Sequence, residues 1–355
     1  MQTNAIVSFS SLAGMAVARA MTYRTIVRVG ILAALLVMAL IITTQATVLA
    51  DKGASAKPKA RATPSTTTAQ APTNSVDQGA GERAEPEHAP TRAEEEAFIK
   101  ESQNPIGNVA ILPFQNNWNY AAGPSKTTVW NMNIQPVVPF MLSPKANLIE
   151  RVITPVVNLT PLLQSQDCFA LGITVSSPPC GAELGIGNIQ LQTFYAPKTN
   201  PNGFIWGVGP MFSFPTVSKH LGTQQFGGGI DAVGLVMPGH WVTGMLVTQR
   251  WYIAGPSSAA ENTLNQLQAQ PFINFNFGKG WALSEAPLIT ANWNEPGNQK
   301  WTVPIGLQVG NTNTWLKLPM AYQLAYYGNI VRPQFAPYGL IRFNWAILWP
   351  VKRGY

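Results

Sequence analysis

"FGKGWALSEAPLITANW" (277–293) sets Trp281 and Trp293 at the two ends of a strand-length segment, with Gly-Lys-Gly just ahead of it. The bracket recurs in "GHWVTGMLVTQRWYIAG" (239–255), with Trp241 and Trp251 at the ends. A core strand has no reason to carry an indole at both tips. A strand that crosses a bilayer does, because an apolar ring with a polar N–H prefers the two water–lipid interfaces.

The pattern around these segments has period two from Val109 onward. "VWNMNIQPVVPF" (129–140) sets Trp130, Met132, Ile134, Val138 and Phe140 against Asn131, Asn133 and Gln135. "KWTVPIGLQVG" (300–310), "LKLPMAYQLAYY" (316–327) and "LIRFNWAILW" (340–349) alternate in the same way, bulky apolar residues against amides, Lys317, Arg342 and Asn344. Alternation alone also fits a soluble sandwich. Strand number and loop lengths decide. Twelve strands are predicted: 109–119, 129–141, 146–157, 185–196, 204–214, 226–237, 241–253, 265–277, 281–292, 300–310, 315–326 and 337–349. "SPKA", "PKTNPNG", "PGH", "GKG" and "NTNT" are short connections, and the intervening ones are long. An even strand count with short turns at one end and long loops at the other predicts an all-β fold: a transmembrane, antiparallel, up-and-down barrel. With the N-terminus periplasmic, Trp206, Trp241, Trp281, Trp315 and Trp349 fall at the periplasmic rim. Trp118, Trp130, Trp251, Trp293 and Trp301 fall at the outer rim as the second half of an aromatic girdle. A sugar-binding slide would need these rings on the amide-rich face instead.

Composition agrees with a membrane protein. The 355 residues are 46% hydrophobic and 11% charged, with a formal charge of +7. No basic run with interleaved aromatics exists, so nucleic acid is not an expected partner. Arg24 and Arg28 precede the apolar run 29–42, and Val48 and Ala50 sit at −3 and −1 of a cleavage site before Asp51, so residues 1–50 read as an export signal. Met21 is an alternative start, and an uncleaved anchor is the rival reading. Residues 51–108 are expected to be a periplasmic linker, Pro/Ala/Thr-rich and disordered, with a short helix near 94–104. The barrel is expected over 109–355.

"NPIGNVAILPFQNNWNYAAGP" (104–124), "NIQPVVPF" (133–140), "GIGNIQLQTFYAPK" (185–198), "GFIWGVGPMFSFPT" (203–216), "QPFINFNF" (270–277) and "WTVPIGLQVG" (301–310) together resemble a bacterial outer-membrane β-barrel family. Its members are often labelled "neuromedin U" or transporter, and are similar to barrels of phenol-degradation operons. The resemblance covers about 104–349 and implies an outer-membrane location in a Gram-negative-type bacterium and passage of small molecules. It supplies no substrate and no catalytic residues. The chain departs from the family at 51–95, at the insert 158–184, and at the tail "PVKRGY" (350–355). Expected partners are outer-membrane lipid, the barrel-assembly machinery and an unknown small solute.

Little catalytic chemistry is legible. Cys168 and Cys180 are spaced to close a loop in an outer connection, and an exported chain with two cysteines favours a disulfide over two thiols. His88, His220 and His240 have no metal-ligand spacing, and neither a metal nor another cofactor is expected. Ser213 and His220 are the nearest approach to a nucleophile and base, but no His falls within a predicted strand, so the chain is not expected to be an enzyme. The glycines of "FGGGI" (226–230) read as relief of crowding or a bend in a strand. Taking the amide-rich face inward, the candidate lumen residues are Arg151, Arg250, Lys317, Arg342, Asn131, Asn133, Gln135, Gln190, Asn274 and Asn344, with Asp231 and Glu285 as inward acids. Two readings stay open: a polar path with mild anion preference, and a structural or surface-interaction barrel with a closed interior.

Overall fold

The computed structural model describes residues 91–171, 178–198, 203–256, 263–315 and 318–350. The stretch read as an export signal, the expected linker up to residue 90, Lys317 and the tail after Pro350 lie outside them.

The described chain begins with α1 (Arg92–Ser102). Thr91 caps it: its hydroxyl accepts from the Glu94 N–H at 3.3 Å, and its own N–H donates to Glu94 Oε2 at 2.7 Å. This reciprocal box satisfies helix-end N–H groups that otherwise have no partner. The Thr91 backbone bond first, and its hydroxyl second, hold the Glu94 carboxyl below the usual carboxylate range.

Fifteen strands follow: β1 (Val109–Ala122), β2 (Thr127–Ile134), β3 (Val137–Ser143), β4 (Ala146–Leu159), β5 (Glu183–Ile186), β6 (Gln190–Pro197), β7 (Ile205–Ser213), β8 (Phe226–Val236), β9 (Trp241–Ala254), β10 (Asn265–Gly278), β11 (Trp281–Glu285), β12 (Ile289–Asn292), β13 (Trp301–Trp315), β14 (Leu318–Val331) and β15 (Gly339–Pro350). They form one antiparallel sheet in which β2/β3, β5/β6 and β11/β12 each make a single stave, so the sheet has the twelve staves expected. It closes where β1 pairs with β15, Val109 opposite Pro350 through Tyr120 opposite Gly339. Closure leaves no open edge, the condition for crossing lipid with strands. Outside the strands, α2 (Ser165–Ala170) lies in the loop after β4 and α3 (Gly297–Lys300) in the one before β13.

The interrupted staves break at identifiable chemistry. Pro136 has no N–H, and the ladder resumes beyond it through the Val152 N–H to the Pro136 carbonyl at 3.1 Å. Pro287 breaks the ninth stave, where the freed Ala286 N–H donates to the Tyr327 hydroxyl at 3.1 Å. One connection differs from expectation. "NTNT" (311–314) is strand, with Asn311 opposite Tyr322 and Trp315 opposite Leu318. The asparagines stay in the ladder because their amides are bonded along the sheet: Asn313 Nδ2 to Asn311 Oδ1 at 3.0 Å, and Asn311 Nδ2 to the Lys279 carbonyl at 3.1 Å.

Alternation fixes the two faces. Ile305, Leu307, Val309, Leu324, Tyr326, Ile341 and Phe343 point outward and are exposed, with Leu307 at 59%. Phe114 stacks on Trp345 across β1 and β15 with centroids 4.1 Å apart. Trp118 and Trp130 pair directly across β1 and β2 at the long-loop rim, and Trp241, Trp281 and Trp315 stand exposed at the short-turn rim. No helix among the described residues is long and apolar enough to cross a membrane. A closed barrel with an apolar outside between two indole rims, short turns at one end and long loops at the other, is an outer-membrane barrel.

Candidate transport pathway

The interior divides into an apolar part and a polar part. Toward the short-turn end, Ile149, Phe194, Ala196, Val233, Leu235, Val242, Leu246 and Phe272 face inward and enclose Ile106, which is 4% exposed. Ile106 belongs to the segment between α1 and β1, so the chain leading into the barrel seats a side chain inside it. Polar contacts hold the same segment. Lys100 Nζ donates to the carbonyls of Met237 at 3.0 Å and Gly239 at 2.6 Å; Gln103 and Asn276 exchange amide bonds at 2.7 and 3.1 Å; Asn147 Nδ2 donates to Asn108 Oδ1 at 2.5 Å. Phe98 of α1 packs against Val109, Ala346 and Leu348. The stretch expected as a linker over 51–108, with a short helix near 94–104, is described from residue 91 on; there α1 spans Arg92–Ser102, and Phe98 and Ile106 pack into the barrel interior.

Above this plug lies a polar belt. Arg151 donates through Nη2 to Gln135 Oε1; Gln135 Nε2 donates to Gln115 Oε1 at 3.4 Å, and Gln115 Nε2 to Asn117 Oδ1 at 3.4 Å. Asn117 Oδ1 also accepts from Arg342 Nε at 2.9 Å. Two guanidiniums are thus tied together by a ladder of three amides across β1 and the neighbouring staves. On the opposite wall the buried Asp231 accepts from Thr248 Oγ1 and from Gln192 Nε2 at 3.0 Å. Arg250 donates to Gln266 Oε1 at 2.5 Å. Gly229 lets the Arg250 backbone approach, since a Cβ there would stand 2.8 Å from the Arg250 Cα; "FGGGI" is a strand segment with glycines at close contacts.

Two interior cavities meet at this belt. The outer one, about 120 Å³, is lined among others by Asn133, Gln190, Gln192, Thr248 and Gln268; the inner one, about 240 Å³, by Gln103, Asn274, Gln308, Gln323 and Asn344. Gln115, Gln135, Arg151, Leu246, Gln270 and Arg342 line both and form the wall they share. A third cavity of about 410 Å³ lies between Gln266, Thr290, Glu295, Lys300 and Gln334 near the long-loop mouth.

The sequence-selected residues therefore separate. Arg151, Arg342 and Gln135 stand at the junction, Asn133 and Gln190 in the outer cavity, and Asn274 and Asn344 in the inner one. Arg250 is buried behind them against Gln266, and Asn131 bonds Asn119 and Asn133 within the wall. Lys317 lies outside the described residues. Glu285, expected inward, shares parity with exposed Trp281 and Leu283, stands opposite exposed Ile273 and belongs to the outer face. Gln266, Gln268 and Gln270 were overlooked, although "QLQAQ" (266–270) spells their inward alternation.

Chemistry elsewhere is sparse. Ser213 is buried on the inward face, whereas His220 Nδ1 meets Glu183 Oε2 at 2.7 Å in the outer loops. Cys168 and Cys180 form a disulfide. Among the described residues no group of three or more His, Cys, Asp or Glu is placed to hold a metal ion.

No family model matches the chain, and no curated protein matches it. Solved structures do. An outer-membrane channel from Pseudomonas putida aligns with a TM-score of 0.48 at 12% identity, over 68% of this chain and 94% of that one. Outer membrane phospholipase A from Escherichia coli aligns at 0.37 and 11% identity, over 72% and 99%. A homologue of FadL from Pseudomonas aeruginosa aligns at 0.30 and 8% identity, over 68% and 60%.

Proposed function

We propose that this outer-membrane barrel passes small solutes passively through its interior, with a preference for anions. The observation that carries the reading is the pair of cavities meeting at a wall of amides and two guanidiniums. A packed core would fill that space; an interior lined by Gln, Asn and Arg is suited to replacing part of a solute's hydration shell. Apolar walls around a cationic belt focus its field and favour negative solutes. The resemblance of 104–349 to barrels labelled as transporters points the same way, with outer-membrane lipid as the surround and the barrel-assembly machinery as the route of insertion. Liposomes loaded with the purified barrel test it. Uptake of small solutes should exceed that of protein-free liposomes and fall off steeply with solute size. Absence of uptake in a preparation whose gel mobility is heat-modifiable, as for an intact barrel, would reject passage.

A second reading is favoured by one observation. Ile106 and the apolar residues around it fill part of the interior toward the short-turn end. If that plug never leaves, the barrel is closed and works through its surface and loops.

A further inference from the structure

We propose that the junction between the two interior cavities is a binding site for a small hydroxymonocarboxylate of about the size of lactate, its carboxylate held by Arg151 and Arg342. The role of the site rests on the passage reading above, and it names the class of solute.

The charge balance of the belt is the first observation. Arg151 and Arg250 feel the charge of Asp231, while among the described residues the ion pairs within 4.0 Å are Arg92–Glu96 and Glu183–His220. Three guanidiniums of the belt thus share one carboxylate: Asp231 serves Arg151 and Arg250 without pairing either within 4.0 Å, and Arg342 has none beside it among the described residues. A buried cation without a counter-charge is costly, and the cost is offset when an anion arrives. The second observation is geometric. Arg151 places Nη2 on Gln135, and Arg342 places Nε on Asn117. A guanidinium carries five N–H donors in a planar fork, so most of each fork is free for a planar carboxylate. The amide ladder through Gln135, Gln115 and Asn117 fixes both forks before the ligand binds, which lowers the ordering cost.

The third observation separates a hydroxy acid from a bare anion. Gln190 and Gln192 line the outer cavity, and the Oε1 of each is buried without a hydrogen-bond partner. A buried carbonyl oxygen without a donor is costly, and an anion supplies no donor. A hydroxyl beside the carboxylate does. Size agrees: the outer cavity of about 120 Å³ is roughly the share of four waters, at about 30 Å³ each, which admits a short-chain acid.

Equilibrium dialysis of radiolabelled lactate against the full-length barrel in detergent tests the proposal, with propionate as the competitor that lacks only the hydroxyl. Saturable lactate binding is expected, with propionate at least roughly tenfold weaker because it leaves the glutamine oxygens unmet. Arg342→Lys and Arg151→Lys keep the charge and lose the fork; each should weaken lactate about tenfold or more while the heat-modifiable mobility is unchanged. No saturable binding, equal binding of lactate and propionate, or wild-type affinity in folded R342K would each overturn the site. Solute uptake by liposomes without saturable lactate binding removes the site and leaves passage standing. Binding by a barrel that passes nothing removes passage and leaves the site.

Discussion

Replacing Ile106 by Ala tests whether the segment ahead of β1 holds the inner end closed. Ile106 is the side chain that this segment buries most deeply among apolar partners, with Ile149, Phe194, Leu235, Leu246 and Phe272 around it. The change removes three carbons, each worth about 0.8 kcal/mol on burial. The space left behind adds to this, so the docked state should lose about 3 kcal/mol, inside the range of about 2–5 known for such truncations. That shifts the balance between docked and released segment by roughly a hundredfold. The readout is hydrogen exchange by mass spectrometry on residues 98–108. The Asn104 and Gly107 amides, bonded to the Glu101 and Asn104 carbonyls at 3.1 Å each, should exchange faster by about the same factor. Strand amides of β13 and β14 serve as the reference and should be unmoved. Unchanged exchange over 98–108 in the variant would refute the idea that Ile106 anchors the plug.

Further consequences follow from other contacts. Because Glu94 has its carboxyl lowered by the Thr91 bonds, its contribution to α1 is fully present above the ordinary glutamate pKa of about 4.3 and is lost as pH falls through the lower folded value; exchange of α1 amides should rise in that acid window, and Thr91→Ala, which removes the hydroxyl bond and keeps the larger backbone one, should weaken the dependence without abolishing it. Asp231→Asn leaves Arg151 and Arg250 without their nearby carboxylate and should cost about 3 kcal/mol or more, read as a lower urea midpoint of the folded gel band, with part of the loss recovered in the double variant Asp231→Asn, Arg250→Gln. Reducing Cys168–Cys180, which are 12 residues apart, should remove roughly 3 kcal/mol of loop restraint and speed proteolysis of the connection after β4, while the barrel band stays heat-modifiable.

The barrel was legible in the sequence because its exterior obeys one simple rule. From Trp301 to Val309 and from Ile341 to Trp349, every second residue must face lipid, and most positions between hold small or polar residues such as Thr302, Gly306, Gln308, Arg342, Asn344 and Ala346. That periodicity, with indoles at the stave ends and short turns at alternate connections, fixes strand number and direction. The plug was not legible, because the inward residues that receive Ile106 are as apolar as those facing lipid. In "NLIERVI" (147–153), Leu148 and Val152 point outward while Ile149 and Ile153 point inward, so hydrophobicity alone does not tell the faces apart. Side chains apolar on both parities near the short-turn end are the signal that something lies inside. The junction was half legible. Arg151, Arg342 and Gln135 follow from strand parity, whereas the separation of Arg250 from the cavities depends on its bond to Gln266 across a neighbouring stave. "NTNT" failed as a turn because its residues satisfy their amides on the sheet, which a count of turn-forming residues does not register.

The reversal potential across a potassium chloride gradient, recorded from single barrels in a planar bilayer, tests the central claim most directly. With Arg151 and Arg342 at the shared wall of the two cavities, the account predicts a small current whose reversal potential lies on the anion-selective side, moving toward zero in Arg342→Gln. Cation selectivity in the wild-type barrel, or no current above background from heat-modifiable protein, would contradict it.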